Sequence, residues 1–108
     1  MTQITYRNND TRFAIRLQGH AGYAERGKDI VCAAVSVLAN ELMLACTHAE
    51  QAGEISHLHI LRESGLVAVS FHYEKVKSVD DIIQTILDCF YLIAEDYRPF
   101  LQIKACEV

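Results

Sequence analysis

Two groups of residues in this chain are of the right type and spacing to do chemistry. In the first, His20 lies in a Gly-Ala run and Cys32 follows after 11 intervening residues. Between them, "AGYAERGKDIV" contains two glycines and no apolar period, the pattern of a loop. From Ile30 to about residue 50 the chain is rich in Ala and Leu and long enough to be a helix. If Asp29 is the N-cap, Cys32 is the third helical residue. Its sulfur then sits in the first turn, beside unpaired backbone N–H groups and the positive end of the helix dipole. Side chains lean toward a helix N-terminus, so the thiol faces the loop. A helix start is the setting in which a thiol acts as a nucleophile. The loop can fold back to set the imidazole of His20 beside the sulfur, where it would take the thiol proton and later protonate a leaving amine. Free N–H groups of the helix start could then hold an oxyanion. Spacing alone leaves a second reading open: a small apolar core thiol, and a histidine that merely ends a strand.

The second group is His57 and His59 on one predicted strand with His72 on its neighbour. In either turn register all three share a sheet face. Three histidines on adjacent strands can bind zinc, but ordered partners behind them are not identifiable, and a wet surface is the simpler reading. No metal and no cofactor is expected. Cys46, Cys89 and Cys106 read as packing or peripheral thiols. Cys46 stands four turns beyond Cys32 on the same helix, too far to cooperate with it. Tyr91, Tyr97 and Phe100 read as core or interface, or as an aromatic pocket for a substrate side chain.

The elements that must position these groups follow from periodicity. Residues 2–7 read as a strand, "NND" as a turn, and Phe13, Ile15 and Leu17 as the buried side of a second strand forming a hairpin. "ISHLHI" and "LVAVSFHY" are two strands around the polar turn "RESG", with Leu58, Ile60, Val67, Val69 and Phe71 on one face. Ser78 with Asp81 resembles a capping box opening a second helix, whose stripe would be Ile82, Ile86, Cys89, Phe90, Ile93 and Tyr97. Pro99 closes it, and "FLQIKACE" is a last strand. The order ββα-ββα-β predicts an α+β fold, one domain over 1–108, with a mainly antiparallel sheet packed by two helices. The first helix is apolar nearly all round in its first half, so burial or cover on two sides is expected.

Bulk properties narrow the function. The chain has 108 residues and a net charge of −4, which argues against a nucleic-acid binder. It shows no signal-peptide pattern, and no run of about 18 uninterrupted apolar residues. A cytoplasmic protein is expected, with no membrane and no direct nucleic-acid partner. Four well-separated cysteines, without C-x-x-C, read as free thiols.

The segment 19–36 resembles the signature of the Prp family, the ribosomal-processing cysteine proteases. Gly19, His20, Ala21, Gly27, Asp29, Ile30, Val31, Cys32, Ala33, Ala34 and Ser36 stand at its positions. The resemblance implies a cysteine endopeptidase that removes the N-terminal extension of large-subunit ribosomal protein twenty-seven, cutting after a phenylalanine-containing motif, and a homodimer. It makes Cys32 the nucleophile and His20 the general base and acid. Asp29 is either the helix cap or a third member orienting His20. A carboxylate near the sulfur opposes activation, and Asp is a strong cap, which favours the cap. Ser36, one turn past Cys32, either bonds near the site or back to the Cys32 carbonyl. Gly19 and Gly22 would permit the backbone turns of the substrate-binding loop, and Gly27 a hinge. A loop over 21–28 that is disordered or open without peptide and closes over it is expected. The alternative is a non-catalytic, ribosome-associated peptide-binding module using the same groove. A thiol-dependent acyl hydrolase acting on a small substrate is a third reading.

Overall fold

The computed structural model describes residues 1–74 and 78–106. Its elements run β1 (Thr2–Asn8), β2 (Arg12–Gln18), α1 (Ile30–Gln51), β3 (Ile55–Glu63), β4 (Leu66–Tyr73), α2 (Ser78–Asp96) and β5 (Leu101–Ala105). This is the expected α+β order. The five strands form one sheet in the order β3-β4-β2-β1-β5. Only β1–β5 is parallel, with Ile4 opposite Ile103. The other three pairings are antiparallel.

Alternation decides which face is covered. Ile4 on β1, Phe13, Ile15 and Leu17 on β2, and Val69, Phe71 and Tyr73 on β4 are buried on the helix side. α1 meets them with Val31, Val35, Ala39, Leu42, Cys46 and Ala49, and α2 with Val79, Ile83, Ile86, Leu87 and Phe90. Each large apolar side chain fully buried here contributes roughly 1.5–3 kcal/mol. By length and composition α1 is apolar enough to cross a bilayer, which the reading of apolar runs missed because the polar residues are sparse rather than absent. In the fold one face of it packs into the core through Val31, Val35, Ala39, Leu42, Cys46 and Ala49.

Four details differ from the sequence reading. The buried side of α2 is turned toward Val79, Ile83 and Leu87, leaving Ile82 44 % exposed. Ile82 and Ile83 are adjacent on the helix, and packing on the sheet buries the second. Ser78 begins α2 and donates its hydroxyl to the Glu54 carboxylate, tying the helix to the start of β3. The strand face of Leu58, Val67, Val69 and Phe71 is as read, but Ile60, on the sheet-edge strand, stays exposed. Finally, α1 is covered on one side only: Ile30, Val37 and Leu44, seven residues apart, are each more than half exposed.

Candidate active site

β2 ends at Gln18, and the next two residues turn out of the sheet to begin the site. Gly19 has φ +89, and a β-carbon there would stand 2.7 Å from the carbonyl oxygen of Met1. Only glycine fits so close an approach at positive φ. Its N–H donates to the carbonyl of Gly65 at 2.9 Å, and its own carbonyl accepts from the Thr2 hydroxyl at 3.1 Å. The backbone just before His20 is thereby pinned from both sides.

The start of α1 is organised by Asp29. This nearly buried carboxylate is the N-cap: Oδ1 accepts from the N–H groups of Val31 (3.0 Å) and Cys32 (2.9 Å). Oδ2 accepts from Tyr23 (2.9 Å) and Ala24 (3.2 Å) in the loop. One side chain thus fixes the helix start and the loop together. Its carboxyl is held below the usual carboxylate range, first by the N–H of Cys32, then by those of Ala24 and Tyr23, against an opposing burial effect. The Cys32 side chain adds a smaller contribution in the same direction.

The helix-start donors expected to be free for an oxyanion are already engaged. Val31 and Cys32 donate to the Asp29 carboxylate, and Ala33 donates to the Asp29 carbonyl at 3.0 Å. The strong cap that sequence favoured uses up the very groups proposed for catalysis. The donor at the sulfur comes instead from the loop: the N–H of Ala21 points at Sγ of Cys32, 3.2 Å away.

The loop is tethered rather than open. Besides the bonds to Asp29 and Cys32, the Tyr23 ring packs edge-on against Tyr97 (5.5 Å) and Phe100 (5.1 Å) beyond α2. Two of the three aromatics read as core or pocket therefore clamp the loop. The third, Tyr91, shares a 2.8 Å hydrogen bond with the hydroxyl of Tyr6.

Two cavities flank Cys32. One, of about 220 Å³, has an apolar floor including Leu17, Val35, Ala39 and Met43; the other, of about 430 Å³, lies under the loop. His20, Cys32 and Ser36 line both. Gly19 lines the first, and Gly22, Gly27 and Asp29 the second. So the fold brings all seven site residues singled out in the sequence to one cleft. Sequence reasoning missed the tip of the β3–β4 hairpin. Ser64 walls one cavity and Gly65 the other, and a β-carbon on Gly65 would stand 3.4 Å from Nε2 of His20. "RESG" is legible as a turn. Nothing local says that it reaches His20.

His57, His59 and His72 do share a surface, and the rings of His57 and His72 stack at 4.7 Å. Among the described residues no group of three or more His, Cys, Asp or Glu side chains is arranged to hold a metal ion.

With the cleft in place, comparison with known proteins becomes informative. The family described as cysteine protease Prp matches residues 1–102. The chain belongs to the Prp family. Among solved structures, the Prp protease of S. aureus with a covalently linked product peptide aligns with a TM-score of 0.72 at 21 % identity, over 98 % of this chain and 100 % of that one. The same S. aureus protease with a substrate peptide aligns at 0.66 and 22 % identity, over 98 % and 100 % of the two chains. The SMU.848 protein of Streptococcus mutans aligns at 0.63 and 26 % identity, over 97 % of this chain and 93 % of that one. No curated protein matches the chain. The Prp fold and a family of cysteine proteases are therefore the frame in which the cleft is read.

Two predictions arise from this geometry. Asp29→Ala should lower the melting temperature by roughly 4–8 °C, because the helix start and the loop lose their shared acceptor. The sign with pH follows from the depressed carboxyl. Its contribution to stability is present above the ordinary Asp value of about 3.9 and is lost as pH falls through the lower, folded value. Thermal melts from neutral to acid pH should show this acid-labile component in the wild type and lack it in the variant.

Gly65→Ala should lower kcat severalfold with KM little changed, because a side chain at φ +72 strains the turn that meets the His20 ring, its β-carbon coming into ordinary van der Waals contact with Nε2. Gly53→Ala is the control. Gly53 has a similar φ of +75 with no atom within 4 Å of an added β-carbon, so it carries the backbone strain without the contact. Equal kinetics for the two variants would show that Gly65 does not position His20.

Proposed function

We propose that this protein is an endopeptidase, a single protease domain over 1–108, in which Cys32 attacks the scissile carbonyl and His20 moves the proton. The observation that carries the reading is that His20 and Cys32, from a strand end and a helix start, line the same two cavities. The proton of the Cys32 thiol passes to the His20 imidazole as Sγ bonds to the carbonyl carbon. The C–N bond then breaks, and His20 gives that proton to the leaving amine. Water, deprotonated by His20, attacks the thioester; the C–S bond breaks and the thiol reforms. The oxyanion forms on the carbonyl oxygen, two bonds away from Sγ and within reach of the Ala21 N–H. Asp29 acts as the cap that holds loop and helix in register, and Ser36 is a cleft-lining hydroxyl. Gly19, Gly22 and Gly27 shape the peptide channel.

The substrate assigned is the N-terminal extension of large-subunit ribosomal protein twenty-seven, cut in the cytoplasm during ribosome assembly, with no cofactor. Membership of the Prp family supports it, as do an open cleft on each side of the thiol and an apolar floor suited to a phenylalanine side chain. A homodimer is supported by the uncovered stripe Ile30, Val37 and Leu44 on α1. The test is to incubate the protein with the extended ribosomal protein and read the product by mass spectrometry. Cleavage at one site next to phenylalanine supports the reading. Tight binding with no cleavage would instead indicate a peptide-binding module. Turnover of small thioesters alone would indicate an acyl hydrolase.

A further inference from the structure

A further cavity, of about 350 Å³, lies at the other end of the sheet, lined by Arg7, Arg12, His57, His59, His72 and Ser70 among others. β2 connects the two sites. Arg12 begins it and Gln18, beside the cleft, ends it, a separation of about 20 Å at strand rise. The five basic side chains come from four strands. Two of the chain's six arginines and three of its five histidines meet here, in a protein whose net charge is −4. Among the described residues no carboxylate lines the cavity. The nearest acidic residues along the chain, Asp10, Glu54 and Glu74, lie in the adjoining turns, and Glu54 accepts from Ser78.

The backbone is bent to make this arrangement. A β-bulge between Ser56 and His59 places two residues opposite one on β4, and His57 there has φ +54. Bulges re-aim side chains, and such backbone conformations collect where function requires them. The bulge carries His57 onto the surface of His59 and His72, where its ring stacks on His72 at 4.7 Å and its Nδ1 is 3.1 Å from the Ser56 hydroxyl. Two imidazolium rings so close repel each other, and an anion shared between them offsets that repulsion. Guanidinium groups supply the planar donors that suit phosphate oxygens.

We infer that this cavity is a phosphate-binding site, separate from the peptidase cleft. Its ligand is a phosphate group, carried either by the RNA backbone or by a free small anion. A protonated imidazole holds an anion more strongly than a neutral one, so binding strengthens as pH falls.

The test uses the full chain and sulfate, whose charge does not change over the pH values used. Sulfate is titrated at constant ionic strength at about pH 6 and about pH 8 while the imidazole signals of all five histidines are followed by NMR. Saturable shifts at His57, His59 and His72, with His20 and His48 unmoved, are expected, and affinity at least about tenfold higher at the lower pH. The double variant Arg7→Gln, Arg12→Gln should lose saturation and keep peptide cleavage. A short RNA duplex that moves the same signals, and is displaced by sulfate, makes the source RNA. Sulfate binding with no RNA effect makes it a free anion. Non-saturating shifts, or equal shifts at all five histidines, overturn the site.

Discussion

Replacing Cys32 by Ala should lower kcat/KM for cleavage of a phenylalanine-containing peptide by at least about 10⁴-fold, leaving fold and peptide binding in place. The size of the effect follows from the role. A nucleophile cannot be partly replaced, and what remains is the catalysis that binding and oxyanion contacts give to water. The fold should survive because Cys32 is only half-buried and its sulfur makes one hydrogen bond, to a loop N–H. The same chemistry predicts how the four thiols differ. Cys46 is completely buried, and burial pushes its thiol up to about 12, so it should resist alkylation until the protein unfolds. Cys89 and Cys106 are half-buried and line neither cavity beside His20. One equivalent of iodoacetamide should therefore modify Cys32 first and abolish cleavage in proportion, as read by peptide mapping. Even labelling across Cys32, Cys89 and Cys106 would remove the thiol from the mechanism. So would a Cys32→Ala protein that still cleaves.

The division between what sequence discloses and what it hides is physical. The first hairpin, the helix from Ile30, Asp29 as its cap and the shared face of the three histidines are all local. Each follows from alternation, capping chemistry or spacing over fewer than about 20 residues. The sheet order is not local. That β4 docks on β2 places Leu66 opposite Gln18, which carries the 64–65 turn to His20. Strand docking is decided by burial of whole faces, and no residue in "RESG" announces its neighbour. The bulge at His57 was hidden for another reason. The signal for a positive φ in a strand is glycine, and here a histidine occupies that conformation. The oxyanion donors failed through competition. Helix-start N–H groups are available only until a cap takes them, and the sequence contained the cap.

Replacing His20 by Asn should lower kcat about 10³-fold or more, with KM nearly unchanged. The two residues of the pair are held differently, and this decides what the variant reports. Cys32 belongs to a helix turn fixed by Asp29. The backbone before His20 is held by Gly19 alone, through bonds to Gly65 and Thr2 and a contact that forbids a β-carbon. Asn keeps a polar side chain of similar reach at this position, exposed and outside the sheet, so stability should be unaffected. What it removes is proton transfer. Loss of activity through a shifted loop would raise KM and loosen the Tyr23 contacts with Tyr97 and Phe100, which Tyr23 ring signals would report. Loss through the missing base leaves those contacts intact and slows acylation itself, visible as a lost burst with an activated ester. A His20→Asn variant that retains most of kcat would mean that the thiol proton leaves by another route, and the role of His20 would reduce to shaping the cleft.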